Sequence, residues 1–221
     1  TRLEKDLGLK LKEKVSEVNN QNNIAMIKNG TIDIECGSTT QTEERLKQVN
    51  AVTIQADKVS IATKASFNGK SIEDLKGKTV ITLAGTTAEK LLRKATADKG
   101  LNLSFNLAKD YTQAFLLLNQ GRGEAVVSDS ILLRGEIADS DNPKDFKLLE
   151  KDLNELELIG IVFSKDDKEF AELVTKNLNE MKKSGKLEEL YAKWFMNGIP
   201  PKNINFNIPL TEQAKKLILN K

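Results

Sequence analysis

The sequence contains no histidine. That one gap removes His-based catalytic triads, the usual general base near neutral pH and the commonest metal ligand. A single cysteine, Cys36, permits neither an intramolecular disulfide nor a thiolate metal cluster, so cysteine usage carries no message about redox compartment. No apolar stretch approaches the ~20 residues that a membrane-spanning helix needs. Excess charge of one sign is missing as well. Charged residues make up 30% of the chain, but 34 Lys and Arg nearly cancel 32 Asp and Glu, and the net charge is +2. Both signs are interspersed, which leaves no footprint for nucleic acid or for an anionic membrane. Repeats and low-complexity tracts are lacking, and nothing in the sequence calls for a metal or a cofactor.

The opening residues also lack an initiator methionine, a signal-peptide core and a cleavage site. Instead "TRLEKDLGLKLKEKVSEV" reads as the tail of a helix stopped at Gly8, then an alternating strand from about Leu9 to Val18. A domain that opens in mid-helix is expected to have lost what preceded it.

At 221 residues the chain can bury a substantial core and suits one large or two small domains. Helix and strand patterns then alternate along it. "NNIAMIKNG" predicts a short helix ended by Gly30, leading into a strand at Thr31–Cys36, and "VTIQADKVSIATKAS" predicts one strand or two. "SIEDLKGKTVITLAGTTAEKLLRKATADKG" is the clearest unit: a short helix, a buried strand at Thr79–Leu83, a tight turn at Gly85 and a helix to about Ala97. "LNLSFNLA", "EAVVSD", "FKLLE" and "LELIGIVFS" read as further strands, with helices in "DYTQAFLLLNQGRG" and "SILLRGEIAD". Helices are expected over Lys168–Ser184, Lys186–Phe195 and after Pro209. Strands separated by helices of this size imply parallel βαβ units and an α/β fold.

In open α/β sheets, ligands sit beyond the carboxyl ends of strands. Three polar clusters fall at such ends. The first is "DIECGSTTQTEER", where a strand empties into Ser38, Thr39 and Thr40 with Arg45 close behind. An arginine can fork bidentately onto a carboxylate, although a solvated helix arginine also fits. The second is Gly85-Thr86-Thr87, where Thr86 and Glu89 match the S/T-x-x-E capping box and the helix start suits a carboxylate. A well-capped turn fits this motif equally. The third is Asp129, which suits an ammonium group and equally an N-cap for the helix near Ile131. Taken together, one end for a carboxylate and one for an amine describe an amino acid.

"NGTIDIECGSTT" followed by "ER", "DLKGKTVITLAGTTAEKLL", "AKDYTQAF", "GRGEAVVSD", and "YAKWF" with "IPPKN" resemble the periplasmic solute-binding proteins of polar amino acid ABC transporters, most of all the glutamate/aspartate-binding subfamily. The resemblance runs from about Leu9 to the C-terminus. It implies a type II periplasmic-binding-protein fold, in which two α/β lobes, each a mostly parallel sheet flanked by helices, are joined by hinge strands around a ligand cleft. The crossings would lie near Ile61–Ala65 and Gly160–Ser164. Residues 1–64 and 164–221 would form a discontinuous lobe one that lacks its N-terminal part, and 65–163 lobe two. Carried over residue by residue, Ser38, Thr40 and Arg45 would hold the α-carboxylate, Asp129 the α-ammonium, and Thr86 and Thr87 would line the second lobe's side. The implied partners are a free amino acid, neutral or acidic, and a transmembrane permease. The implied setting is periplasmic or otherwise extracytoplasmic, with or without a surface anchor, and the implied state is a monomer.

Departures from the family pattern fall in the side-chain pocket. Where acidic-amino-acid binders carry Ser-x-x-Arg before "NG", this chain has Asn20 and Asn23, and where they have histidine after "AKD" it has Tyr111. Each change removes a cation, so a neutral polar side chain such as that of glutamine is expected in place of glutamate. The same fold also hosts enzymes of the cyclohexadienyl dehydratase kind and ligand-sensing domains of regulators. In a chain without histidine, an enzyme's acid or base would have to be Glu, Asp, Lys or Tyr, and Tyr111 and Glu35 are the candidates near the cleft.

Overall fold

The computed structural model describes residues 2–219. Helices α1 (Arg2–Leu7) and α2 (Asn23–Lys28) precede β1 (Ile34–Thr40), the single-turn α3 (Glu43–Leu46), β2 (Asn50–Asp57) and β3 (Val59–Lys64). Next come β4 (Thr79–Leu83), α4 (Thr87–Lys99), β5 (Ser104–Ala108), α5 (Tyr111–Asn119), β6 (Ala125–Asp129) and α6 (Ser130–Asp139). Strands β7 (Phe146–Leu148) and β8 (Glu157–Phe163) lead to α7 (Lys168–Lys183), α8 (Lys186–Phe195) and α9 (Glu212–Leu219).

These elements form two compact units. Unit 1 comprises Thr1–Ala56, Leu158–Asn197 and Asn207–Lys221; unit 2 comprises Asp57–Glu157 and Gly198–Phe206. The changes of unit at Ala56/Asp57 and Glu157/Leu158 come earlier than the crossings expected near Ile61–Ala65 and Gly160–Ser164. Strand pairing gives the reason. Ile61, Ala62 and Thr63 of β3 pair with β6 inside the sheet of unit 2, while Gly160 and Phe163 of β8 pair with β1 inside the sheet of unit 1. Residues Gly198–Phe206 also belong to unit 2 rather than to the first lobe. There Ile199 N–H donates to the Ile204 carbonyl at 2.9 Å, and Lys202 pairs with Asp139 at 2.6 Å.

Unit 2 is built on a five-stranded sheet in the order β5-β4-β6-β3-β7. The three strands β5, β4 and β6 run parallel, and β3 pairs antiparallel with β6 and β7. Its central strands are continuous apolar runs because both faces are covered. Val80, Ala125 and Val127 face one core with Ala88 and Leu92 of α4. Ile81 and Val126 face the other core with Ala114, Phe115 and Leu118 of α5 and Leu133 of α6. Unit 1 has a three-stranded sheet, β1-β8-β2, with β1 antiparallel to β8. Val52, Phe163, Ala171 and Val174 form a core on α7, and Ile27, Val49 and Val162 form a second beneath α2.

Two expectations need correction. Residues 9–18 form no strand, and Leu9 and Val15 are 61% and 87% exposed. A period-2 pattern becomes a strand only where a partner accepts its hydrogen bonds, and no described strand pairs with this segment. Strand β1 does not stop at Cys36 but runs on to Thr40, because Thr39 and Thr40 still pair with Gly160 and Ile159. The hydroxyl cluster therefore lies within the strand.

Leu92 is fully buried, so Leu92→Ala is expected to lower the unfolding free energy by about 2–5 kcal/mol. Leu116, 52% exposed on α5, is expected to tolerate the same truncation within about 0.5 kcal/mol. Denaturant melts of the two variants compare them directly; equal losses would contradict the packing described for unit 2.

Candidate functional site

In unit 1 the polar cluster is built on an irregular stretch of β1. Between the pairs Glu35↔Val162 and Thr39↔Gly160, β1 carries more residues than β8, so the chain bulges at Cys36-Gly37-Ser38. Ser38 stays half-buried, while Thr39 and Thr40 are 3% and 5% exposed. Just beyond, the Thr42 hydroxyl accepts the Arg45 N–H at 3.2 Å and so starts α3. This cap turns the Arg45 side chain back along the strand, where Nη1 donates to the Thr40 carbonyl at 3.1 Å. Thr40 and Arg45 are thus brought together, with Ser38 in the adjoining bulge.

Asn23, expected in the side-chain pocket, is buried at the start of α2. It is 3% exposed, and its Nδ2 donates to the Thr39 hydroxyl at 3.2 Å while its Oδ1 accepts the Ile24 N–H at 2.9 Å. Its amide is an internal strut of unit 1. Asn20 lies half-buried in the turn before α2, and among the described residues no hydrogen bond ties its amide to the bulge.

In unit 2 four expected residues share one sheet edge, the carboxyl ends of β5, β4 and β6. After β4, Gly85 takes a φ of 79° to make the tight turn. Thr86 then caps α4, its hydroxyl accepting the Glu89 N–H at 3.1 Å and donating to the Leu83 carbonyl at 2.8 Å. The reciprocal half of the expected capping box is displaced by one residue: the Glu89 carboxylate accepts from Gly85 N–H at 2.8 Å. Thr87 is the half-buried first residue of α4.

Tyr111 opens α5 beside a cap from Asp110, which accepts the Gln113 N–H at 2.7 Å. Its hydroxyl accepts from Ser128 Oγ at 2.8 Å, which ties the ring to the end of β6. Burial pushes the Tyr111 phenol up to about 12, with the Asp129 and Glu136 charges adding to the rise against the Ser128 hydrogen bond. Asp129 itself is 8% exposed and stands at the N-cap position of α6 without a side-chain cap bond. Asp57 supplies that cap from the end of β2. Ser130 Oγ donates to Asp57 Oδ1 at 2.5 Å, and Ile131 N–H donates to Oδ2 at 2.9 Å. Sequence reasoning missed Asp57 and Ser128, because their partners lie across the sheet or on another element. Only the alternation around each strand end hinted at where they face. Among the described residues, no three His, Cys, Asp or Glu side chains converge as a metal site would require.

The comparisons with known proteins agree with this chemistry. Residues 1–197 match the model of bacterial extracellular solute-binding proteins, family 3, and the chain belongs to that family. It is 40% identical over 218 residues to an L-glutamate/L-aspartate-binding protein of Pseudomonas aeruginosa, covering 98% of this chain and 72% of the relative. A glutamate/aspartate import solute-binding protein of Escherichia coli is 36% identical over 208 residues, 94% of this chain and 68% of the relative. Among solved structures, an ancestral arginine-binding protein bound to arginine superposes with a TM-score of 0.77 at 31% identity, covering 87% of this chain and 84% of the other. The fold is that of the type II periplasmic amino-acid-binding proteins.

Burial is the main influence on Asp57 and raises its carboxyl above the ordinary value of 3.8, opposed by Ser130, Ile131, the Lys58 N–H and the Arg134 charge. A carboxyl raised on folding contributes stability below 3.8 that is lost as pH climbs through its folded value. Wild type is therefore expected to lose stability relative to Asp57→Asn over that rise. A stability difference between the two that stays flat with pH would refute the raised carboxyl.

Proposed function

We propose that this chain is the ligand-binding part of an extracytoplasmic receptor that captures a polar α-amino acid and delivers it to an ABC-transporter permease. The observation that carries this reading is a division of charge. Unit 1 folds Arg45 onto the end of β1, while unit 2 keeps the buried Asp129 carboxylate out of the α6 cap by giving that task to Asp57. In the proposed complex Arg45, Ser38 and Thr40 hold the ligand carboxylate. Asp129 pairs with its ammonium, and Thr86, Thr87 and Tyr111 line the unit 2 side. The relatives support this: each is named for binding or importing an amino acid. The receptor is proposed to act as a monomer in the periplasm or at the outer face of the cytoplasmic membrane.

A receptor is favoured over an enzyme by the state of the two candidate acid–base groups. Tyr111, at about 12, holds its proton at neutral pH. Glu35 is 7% exposed, and both of its oxygens accept hydrogen bonds from the β1 bulge. Incubation with amino acids and prephenate-like acids is expected to return them unchanged.

Losing a charge-assisted contact to a buried carboxylate costs about 2–5 kcal/mol, so Arg45→Ala should weaken amino acid binding by that amount in calorimetry. Affinity equal to wild type would remove Arg45 from the site.

For the ligand side chain, neutral polar is favoured. The expected pocket residues Asn20, Asn23 and Tyr111 carry no positive charge, and acidic groups already act on Tyr111. A buried carboxylate without a cation costs several kcal/mol, on the order of 1–3 or more. Glutamine is therefore expected to displace glutamate in a competition assay. The reverse order would assign the side-chain contact to a cation outside these three residues.

A further inference from the structure

We propose that Glu35 is a positioning residue of the ligand site: its buried carboxylate holds the Cys36-Gly37-Ser38 bulge of β1 in the shape that presents Ser38 and the Thr40–Arg45 pair to a ligand carboxylate. This rests on the receptor reading above and adds a residue that does not itself touch the ligand.

The bulge creates a problem that Glu35 solves. Strand β1 takes four steps from Glu35 to Thr39 while β8 takes two, from Val162 to Gly160. Residues looped out of a ladder lose their backbone partners, and groups buried without a partner are costly. The Glu35 carboxylate replaces the ladder across the gap. Its Oε1 accepts Gly37 N–H at 2.8 Å, and its Oε2 accepts the Thr39 hydroxyl at 2.8 Å. One carboxylate therefore clamps the middle and the far end of the bulge.

Proton counting fixes the direction of each bond. The Thr39 hydroxyl has one proton and accepts from Asn23 Nδ2 at 3.2 Å, so its own proton goes to Glu35. Asn23, Thr39, Glu35 and Gly37 then form one directed chain from α2 into the bulge. At 7% exposure the carboxylate depends on these donors.

Gly37 belongs to the same device. Its φ is not in the left-handed region, so the backbone does not demand glycine there. Space does. A Cβ at position 37 would lie 2.0 Å from Glu35 Oε1 and 3.2 Å from its carboxyl carbon. The carboxylate occupies the volume that any larger residue would need. An alanine at 37 must push it off both donors, so Gly37→Ala and Glu35→Ala should break the same clamp by different routes.

The test is a double-mutant cycle read by calorimetry with L-glutamine, L-glutamate and L-aspartate. Loss of two hydrogen bonds that shape the bulge should weaken binding roughly tenfold in Glu35→Ala and in Gly37→Ala. The double variant should bind no worse than either single one, because the clamp is already gone. Glu35→Gln keeps an oxygen for Gly37 N–H but turns a donor toward the Thr39 hydroxyl, so it should recover part of the lost affinity and bind between wild type and Glu35→Ala. Wild-type affinity in both single variants, additive losses in the double variant, or no recovery in Glu35→Gln would each overturn the proposal. Should Glu35→Ala fail to fold, Gly37→Ala carries the same comparison against Glu35→Gln. If wild type binds none of the three amino acids, it is the receptor reading that fails. The clamp is then judged in the ligand-free chain by hydrogen exchange at the Gly37 amide. Faster exchange in Glu35→Ala sustains the clamp, and unchanged exchange refutes it.

Discussion

A carboxylate taken out of water must be given donors, and that requirement organises the polar cluster of each unit. Glu35 and Asp129 are 7% and 8% exposed, and burial acts strongly on Asp57. An unpaired buried acid is among the costliest groups a fold can hold. Each of these acids therefore dictates the backbone around it. Glu35 binds the β1 bulge, and Asp57 accepts the Ser130 hydroxyl and the Ile131 N–H at the start of α6. Asp129, spared from capping, keeps its place at the end of β6 beside Tyr111. The hydroxyl-rich sequence "CGSTT" makes sense in this light. Gly37 clears room for the carboxylate, and the Thr39 hydroxyl donates a hydrogen bond to it.

Much of the unit 2 architecture was legible in the sequence because its signals are local. The buried strand at Thr79–Leu83, the Gly85 turn, the Thr86 cap and helix Ser130–Asp139 all follow from residues within a few positions of each other. The less legible features depend on partners far along the chain. Residues 9–18 carry a strand's alternation, but a strand needs an edge to pair with. The extent of β1 is set by β8, more than a hundred residues away, so local reading ended it at the glycine. Asp57 carries no local signal of its role, because the helix it caps begins at Ser130. The burial of Asn23 is likewise set at a distance, by the Thr39 hydroxyl that its amide meets.

Recognition of an amino acid needs a fixed cation, a fixed anion and hydroxyl donors, none of which must change protonation near neutral pH. Arg45 supplies a charge that does not titrate in this range, and Tyr111, raised to about 12, stays neutral. A catalytic site would instead need a group poised between its two states. Tyr111 is not so poised, and Glu35 is engaged by the bulge. The family of solute-binding proteins to which the chain belongs agrees with the recognition of a solute.

The two units build their polar clusters by different logic, and this governs how each responds to change. In unit 2, Thr86, Tyr111 and Asp129 each sit at a separate strand–helix turn with its own cap: Thr86 itself, Asp110 and Asp57. A substitution at the Thr86 turn leaves the hydrogen bonds of the other two in place, whereas Tyr111 and the end of β6 share the Ser128 hydrogen bond. In unit 1, Asn23, Glu35, Gly37 and Thr39 form a single chain of donors and acceptors in which each bond fixes the direction of the next. Groups that share a network respond together, whereas separated groups respond additively. The bulge of unit 1 therefore responds to substitution as one piece, and the strand–helix turns of unit 2 respond more locally.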